Sequence, residues 1–246
     1  MTSAYQKRLF TTYSKTHVAH LDLDDQDKLD WFTRYAERNY LRLVEGIDRE
    51  SCVVLEVGCN KGYLLTALKG FGYVNLSGVD LSPDDVAKAS MLIPEVAIVC
   101  ADAFDYLVDN RGEFDLIILK AVLEHVQKER IIPFLERVRG GLRPGGVVIV
   151  DVPNMDWLFA QHERYMDFTH EVGFTRESLA QVMRNVFDDV SVVPGLAVTP
   201  VRLKGRLITI VRPLVIFLLG LMLKAIGEGA SDVWWHSRSI IGVARV

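Results

Sequence analysis

The sequence predicts an α/β fold, an open and mostly parallel sheet with helices on both faces. Three observations carry that expectation. Five short apolar runs rich in β-branched residues recur between residues 52 and 152, each followed by turn residues and helical spacing. They are continuous rather than alternating, which is how strands buried on both faces read. A turn punctuated by glycine, Gly58-Cys59-Asn60-Lys61-Gly62, joins the first run to the first helix of the series. Finally, Glu56, Asp80, Asp102, Lys120 and Asp151 all fall at the carboxyl ends of these runs, the edge where such sheets bind ligands.

The elements follow in order. Residues 1–23 are polar, with scattered aromatics and His17 and His20, and read as a loose arm or a flap over a site. Asp24 or Asp25 caps a helix that runs to about Val44 and ends at Gly46. Residues 52–57 form strand one, and Tyr63 opens the next helix. Residues 76–80 form strand two, after which Ser82 caps a helix with Pro83 at its first position. Strand three spans 96–100 and strand four 114–119. A helix follows over 131–139, then a turn, Leu142-Arg143-Pro144-Gly145-Gly146, and strand five over 147–152. Thr175 caps a helix with Glu177 in its first turn and Leu179, Val182 and Met183 facing inward. Residues 190–193 and 239–246 read as the last two strands.

Composition narrows the function classes. At 246 residues, 50% of them hydrophobic, the chain can bury one large core. A net charge of −4 gives no general nucleic-acid signal. The charge is uneven: residues 201–246 hold seven Lys/Arg against Glu228 and Asp232. Cys52, Cys59 and Cys100 form no Cys-x-x-Cys pair and read as buried reduced thiols of a cytosolic protein. The N-terminus shows no apolar secretory segment.

The glycine turn speaks to the ligand. Its pattern, Glu-x-Gly-x-x-x-Gly, is not the Gly-x-Gly-x-x-Gly of dinucleotide binders, because Asn60 stands where a second glycine would. Asn tolerates left-handed geometry next best. Glu56 beside a helix N-terminus would repel a pyrophosphate but suits a cationic cofactor without phosphate, such as S-adenosylmethionine. Asp80 lies at the end of strand two, where a carboxylate can accept both hydroxyls of a ribose.

Residues 53–65, Gly78-Val79-Asp80-Leu81-Ser82, Ala101-Asp102-Ala103, Phe114-Asp115-Leu116-Ile117-Ile118 and Leu142-Arg143-Pro144-Gly145-Gly146 together resemble the ordered motifs of class I S-adenosylmethionine-dependent methyltransferases. The likeness covers about residues 50–155, and Asn60 is its departure. It implies a Rossmann-like seven-stranded sheet with helices on both faces, the last strand returning antiparallel between strands five and six. The implied parts are residues 1–48 as N-terminal arm and helix, 49–199 as methyltransferase core, 200–236 as an apolar helical insertion and 237–246 as the final strand. The implied cofactor is S-adenosylmethionine. Glu56, Gly58, Asn60 and Gly62 would hold its methionine end, Asp80 and Leu81 its ribose, and Asp102 and Ala103 its adenine, with Lys120 at the end of strand four. Asp115 reads as structural.

Methyl transfer asks the protein mainly for alignment, water exclusion and removal of a proton when the acceptor is a hydroxyl. The candidate bases are His125, His170, Asp167 and Glu124. Residues 165–175 resemble the acceptor-side loop of bacterial methyltransferases of small molecules and glycans, which favours His170 as base, Asp167 as its orienter and His125 as a wall of the methyl site. Asp151, Asp167 and His170 are the candidate metal ligands, but no ligand spacing demands a metal, and none is expected.

Residues 207–226 are strongly apolar, and Arg212 and Pro213 reduce their uninterrupted part to 214–223. Ten helical residues reach about 15 Å, half a bilayer core. The chain must also return to complete its sheet. Residues 202–235 therefore read as a segment lying on a membrane surface, with Arg202, Lys204, Arg206 and Arg212 for anionic headgroups and Trp234 and Trp235 for the interface. A subunit interface, and so a homo-oligomer, is the competing use. The sequence thus predicts a cytoplasmic methyltransferase peripheral to the inner membrane, acting on a hydroxyl of a glycan or lipid-linked precursor. The alternatives are a membrane-dissolved small molecule such as a quinone precursor, or a non-catalytic module that binds the cofactor. No nucleic-acid partner is expected.

Overall fold

The computed structural model describes residues 4–11, 25–198, 203–227 and 233–246. Strands β1 (Val53–Val57), β2 (Asn75–Asp80), β3 (Ala97–Cys100), β4 (Phe114–Lys120), β5 (Leu142–Pro153), β6 (Asp189–Pro194) and β7 (Ser239–Arg245) form one sheet in the order β3-β2-β1-β4-β5-β7-β6. The first five are parallel, and β7 runs antiparallel between β5 and β6. This is the seven-stranded class I methyltransferase arrangement that the motifs imply. The helices are α1 (Ala4–Thr11), α2 (Asp25–Asn39), α3 (Tyr63–Gly70), α4 (Pro83–Leu92), α5 (Ala103–Asp109), α6 (Ile131–Gly141), α7 (Ala160–Tyr165), α8 (Arg176–Arg184) and α9 (Leu203–Ile226).

The period-2 geometry of the central strands divides the core into two layers. Leu55, Val57, Ile117, Leu119, Val148 and Val150 meet α6 and α8 through Phe134, Leu135, Leu179 and Met183. Val54, Leu116, Ile118, Val147 and Ile149 meet α2 and α3 through Tyr35, Ala36, Leu64 and Leu68. Both faces are apolar, so the strands read as unbroken apolar runs. Truncating a fully buried member such as Ile118 to Ala would cost about 2–5 kcal/mol. Helix caps follow the sequence as well. Ser82 accepts from Asp85 N with Pro83 just inside α4, and Thr175 and Ser178 form a reciprocal capping box at α8. Asp115 accepts from Val53 N and pairs with Arg143, a structural role.

Four expectations are corrected. The segment 142–146 is not a free turn. It is drawn into β5 with a register shift between Phe114 and Leu116, because Leu142 pairs with Phe114 before the chain bulges. The helix after Asp25 stops at Asn39, and the chain tightens into a 3₁₀ turn over Leu41–Leu43 that keeps Tyr40 buried in the core. Cys100 is exposed, whereas Cys52 and Cys59 are buried. Pro213 does not end the apolar helix: α9 runs unbroken through it for 24 residues. Proline removes one helical hydrogen bond, but apolar helix formers continue on both sides of it. At 1.5 Å per residue α9 reaches about 36 Å, more than twice the length expected from the interrupted run.

One side of α9 rests on the body. Arg212, Ile216, Leu219, Gly220 and Leu223 are half-buried at helical spacing. A shallow cleft brings Arg212, Pro213 and Ile216 against Arg38 and Ala197. The outward side is exposed and apolar, with Ile210, Leu214, Phe217, Leu221 and Met222 all open. Ile208–Ala225, at mean hydropathy 2.0, is long and apolar enough to cross a membrane, and none of it is buried inside the protein.

Candidate active site

A cavity of about 430 Å³ opens at the carboxyl ends of the parallel strands. Its lining runs from Asp80, Asp102 and Phe104 to His125, His170 and Arg238. The first part is made by strand ends and the turns that follow them. Gly58 (φ +70°) and Gly62 (φ +79°) adopt left-handed geometry around Asn60 (φ +46°). Gly58 has a second reason to lack a side chain: a Cβ there would lie 2.6 Å from Val122 Cγ2. The turn is pinned by Gly58 N donating to Val79 O at 2.8 Å and Gly62 N to Cys59 O at 2.9 Å.

Glu56 is 3% exposed, and its Oε2 has no hydrogen-bond partner among the described residues. Burial, and then the Asp80 charge, hold its carboxyl well above the usual carboxylate range, with Lys120 opposing. Asp80 accepts from Asn60 N through Oδ2 and from Ser82 N through Oδ1, both at 2.8 Å. Each oxygen keeps a lone pair for a further donor. Burial raises the Asp80 carboxyl, partly offset by those backbone N–H groups. Asp102 uses Oδ1 to cap α5 through Phe104 N at 3.0 Å. Phe104 stacks on Phe134 and carries Arg130 and Arg137 over its ring, so Ala103 and Phe104 form a flat apolar wall beside Leu81.

Two strand-end residues have structural partners. Asp151 is 1% exposed and receives Tyr35 OH at 2.7 Å and Tyr40 OH at 2.5 Å. Burial, and then the Asp151 charge, keep both phenols protonated far above their usual range. Lys120 reaches Asp151 at 3.4 Å and lies over the Tyr35 ring while still lining the cavity. Asp151 is thus spent inside the fold, and the grouping of Asp151 with Asp167 and His170 as metal ligands does not form. Tyr35 and Tyr40 give no sequence signal beyond a helical stripe.

The second part of the cavity is made by loops. Leu123–His125 forms a 3₁₀ turn after β4, and Ala121 (φ +53°) before it is one of two non-glycine residues at positive φ among those described. Loop 166–175 is tied to this turn by Glu171 N and Val172 N, which donate to Glu124 O at 2.8 and 3.1 Å. Arg164 clamps the loop through the carbonyls of His170 and Glu171. Phe10 of α1 stands edge-on to His125, and Gln6 donates to His125 O at 2.8 Å, so α1 covers this part. His17 and His20 lie outside the described residues.

The polar groups here differ from expectation in one connection. Asp167 does not orient His170. Its Oδ1 accepts from Thr169 N at 2.8 Å and from Thr169 Oγ1 at 2.6 Å. Thr169 Oγ1 has thereby used its proton, so its 2.9 Å bond to His125 Nδ1 takes the imidazole as donor. A neutral His125 then carries its lone pair on Nε2. Thr169, which no sequence pattern singled out, makes Asp167 the orienter of His125. The rings of His125 and His170 are 4.8 Å apart. Burial pushes the His170 imidazole below its usual value, with Asp167 and the backbone carbonyls of Glu163 and Arg164 opposing. Glu124 is 2% exposed, neither of its oxygens has a partner among the described residues, and burial lifts its carboxyl to about 8.

A family model described as a methyltransferase domain matches residues 28–186. A ubiquinone biosynthesis O-methyltransferase of Bradyrhizobium diazoefficiens is 31% identical over 110 residues, 42% of this chain and 41% of that protein. A carboxy-S-adenosyl-L-methionine synthase of Aeromonas salmonicida is 26% identical over 151 residues, 55% of this chain and 58% of that protein. The chain therefore spans about half the length of these curated relatives. Among solved structures, a SAM-dependent methyltransferase from Archaeoglobus fulgidus has a TM-score of 0.61 at 18% identity, covering 84% of this chain and 91% of that one. A Haemonchus contortus phosphoethanolamine N-methyltransferase bound to S-adenosylhomocysteine reaches 0.64 at 16% identity, covering 98% and 60%. At these identities the likeness is one of fold.

Proposed function

The chain belongs to the methyltransferase-domain family, and from that premise we propose that it methylates a hydroxyl of an apolar small molecule taken up at a membrane surface. That it is a methyltransferase using S-adenosylmethionine follows from the family. When bound, that cofactor supplies an electrophilic methyl group on sulfur. The residues present fit it. Glu56 offers a buried unpartnered oxygen to an ammonium, and Asp80 keeps lone pairs for hydroxyls. Ala103 and Phe104 suit a flat base.

The acceptor reading rests on one observation, the exposed apolar side of a 24-residue helix on the same chain as the cavity at the strand ends. A half-buried side anchors α9 to the body while the outward side has the character of lipid-facing surface. The basic residues at its N-terminal end suit anionic headgroups. The name of one curated relative points the same way: a ubiquinone biosynthesis O-methyltransferase supports an apolar ring hydroxyl better than the glycan first favoured. His125, His170 and Glu124 form the polar wall that meets the acceptor and disposes of its proton. Gln6 and Phe10 help close that wall against water.

The test is methyl transfer from labelled S-adenosylmethionine to cell fractions from the source organism, with and without the protein. Label is expected in the organic-soluble lipid and quinone fraction. Label confined to polysaccharide would overturn the acceptor class. Cofactor binding without any transfer would favour the non-catalytic module. In parallel, I210S/L214S/F217S/L221S should abolish sedimentation with anionic lipid vesicles; unchanged sedimentation would remove the membrane role.

A further inference from the structure

Glu124 is the anomaly of the acceptor end. A carboxyl buried to 2% exposure normally has hydrogen-bond donors, yet neither of its oxygens has one among the described residues. It lines the cavity together with His125 and His170. One ligand atom from each of the three lies within 4.8 Å of the others, and a cation with bonds of about 2.0–2.2 Å would draw them in by about 1 Å. The two imidazoles come from segments 45 residues apart in sequence, held together by the backbone bonds from Glu171 and Val172 to Glu124 O and by the Arg164 clamp.

We propose that Glu124, His125 and His170 hold a divalent first-row cation of the zinc class at the acceptor end of the cavity. Two imidazole nitrogens and one carboxylate match three-ligand sites that keep a position open, and they disfavour Mg²⁺ and Ca²⁺, which prefer all-oxygen shells. Thr169 and Asp167 complete the site in the way metal-bound histidines usually require. His125 donates Nδ1–H to Thr169 Oγ1, which donates to Asp167, so Nε2 presents the lone pair.

The consequence, though not the binding, rests on the methyl-transfer reading. A cation here would take the acceptor hydroxyl at its open position and lower the hydroxyl's pKa; the proton would leave to water at the mouth of the cavity, and the oxygen would take the methyl group as its bond to sulfur breaks. The favoured acceptors are then those with a hydroxyl that can ligate a metal.

Titration of metal-stripped protein with Co²⁺, a coloured stand-in for zinc, tests the site without turnover. One Co²⁺ per chain should bind with visible absorption characteristic of low coordination, and excess Zn²⁺ should displace it while Mg²⁺ should not. Glu124→Gln and His170→Ala should each weaken binding at least tenfold. S-adenosylhomocysteine affinity and circular dichroism, measured on the same samples, should stay unchanged. Absence of stoichiometric Co²⁺ binding, displacement by Mg²⁺, or equal binding by both variants would overturn the cation site. In that case, retained S-adenosylhomocysteine binding leaves the methyltransferase reading standing. Loss of that ligand in the unmodified protein would strike the methyltransferase reading instead.

Discussion

The two ends of the cavity are built by different means. The end around Glu56, Gly58, Asp80 and Asp102 is strand termini and the turns after them, positioned by the sheet itself. The end around Glu124, His125, Asp167 and His170 is two loops and a short N-terminal helix, positioned by each other. A sheet-built end suits a ligand held in a fixed way, while a loop-built end can change what it accepts without disturbing the sheet.

The sharpest test of this division is His125→Ala. It removes the ring that Thr169 and Phe10 hold in the acceptor end and leaves every strand terminus in place. Turnover should fall by about 10²–10⁴, the range for losing a group that handles a proton. S-adenosylhomocysteine affinity, read by calorimetry, should change less than about twofold. A parallel loss of both would mean that the two ends are one unit.

Gly58→Ala probes the other end. The substitution puts a Cβ at φ +70° and 2.6 Å from Val122 Cγ2. Left-handed strain of roughly 1–2 kcal/mol and overpacking of about 1–3 kcal/mol burden the folded protein, and the turn must shift to relieve them, so S-adenosylhomocysteine affinity should fall at least about tenfold. If calorimetry shows undiminished affinity, the turn does not cradle the cofactor.

A third substitution, Tyr40→Phe, should touch neither end. It deprives the buried Asp151 of one donor while Tyr35 and Lys120 remain. Stability should drop by about 1–3 kcal/mol in denaturant unfolding, with cofactor affinity and turnover intact under native conditions. A large turnover defect in a fully folded sample would place the Tyr35–Tyr40–Asp151 network in the site.

The same division explains what the sequence reveals. The strands themselves were legible because each is an apolar run bounded by polar and turn residues, whereas the antiparallel β7 followed only from the family resemblance. The Thr169 relay was not legible, since it links residues 44 apart and depends on which oxygen Thr169 leaves free. Asp151 shows the converse failure. It sits at a strand end like Asp80, but Tyr35 of α2 and Tyr40 just after it cover it from more than a hundred residues earlier. The unbroken α9 shows another, because proline's local penalty of about 3 kcal/mol carries less weight than the long apolar helix on both sides of it.

Thr169→Val gives the smallest expected effect and the most discriminating one. Valine keeps the volume of threonine but accepts no hydrogen bond, so His125 Nδ1–H loses its acceptor and the ring its preferred tautomer. Asp167 keeps the Thr169 backbone N–H and so remains partnered. Nothing at the glycine turn changes. Turnover should fall about tenfold, in line with losing a partner behind a functional histidine, with KM for S-adenosylmethionine unaltered. Unaltered turnover would mean that packing against Phe10 and His170 holds the His125 ring without Thr169, and that the loop-built end depends on shape rather than on this hydrogen bond.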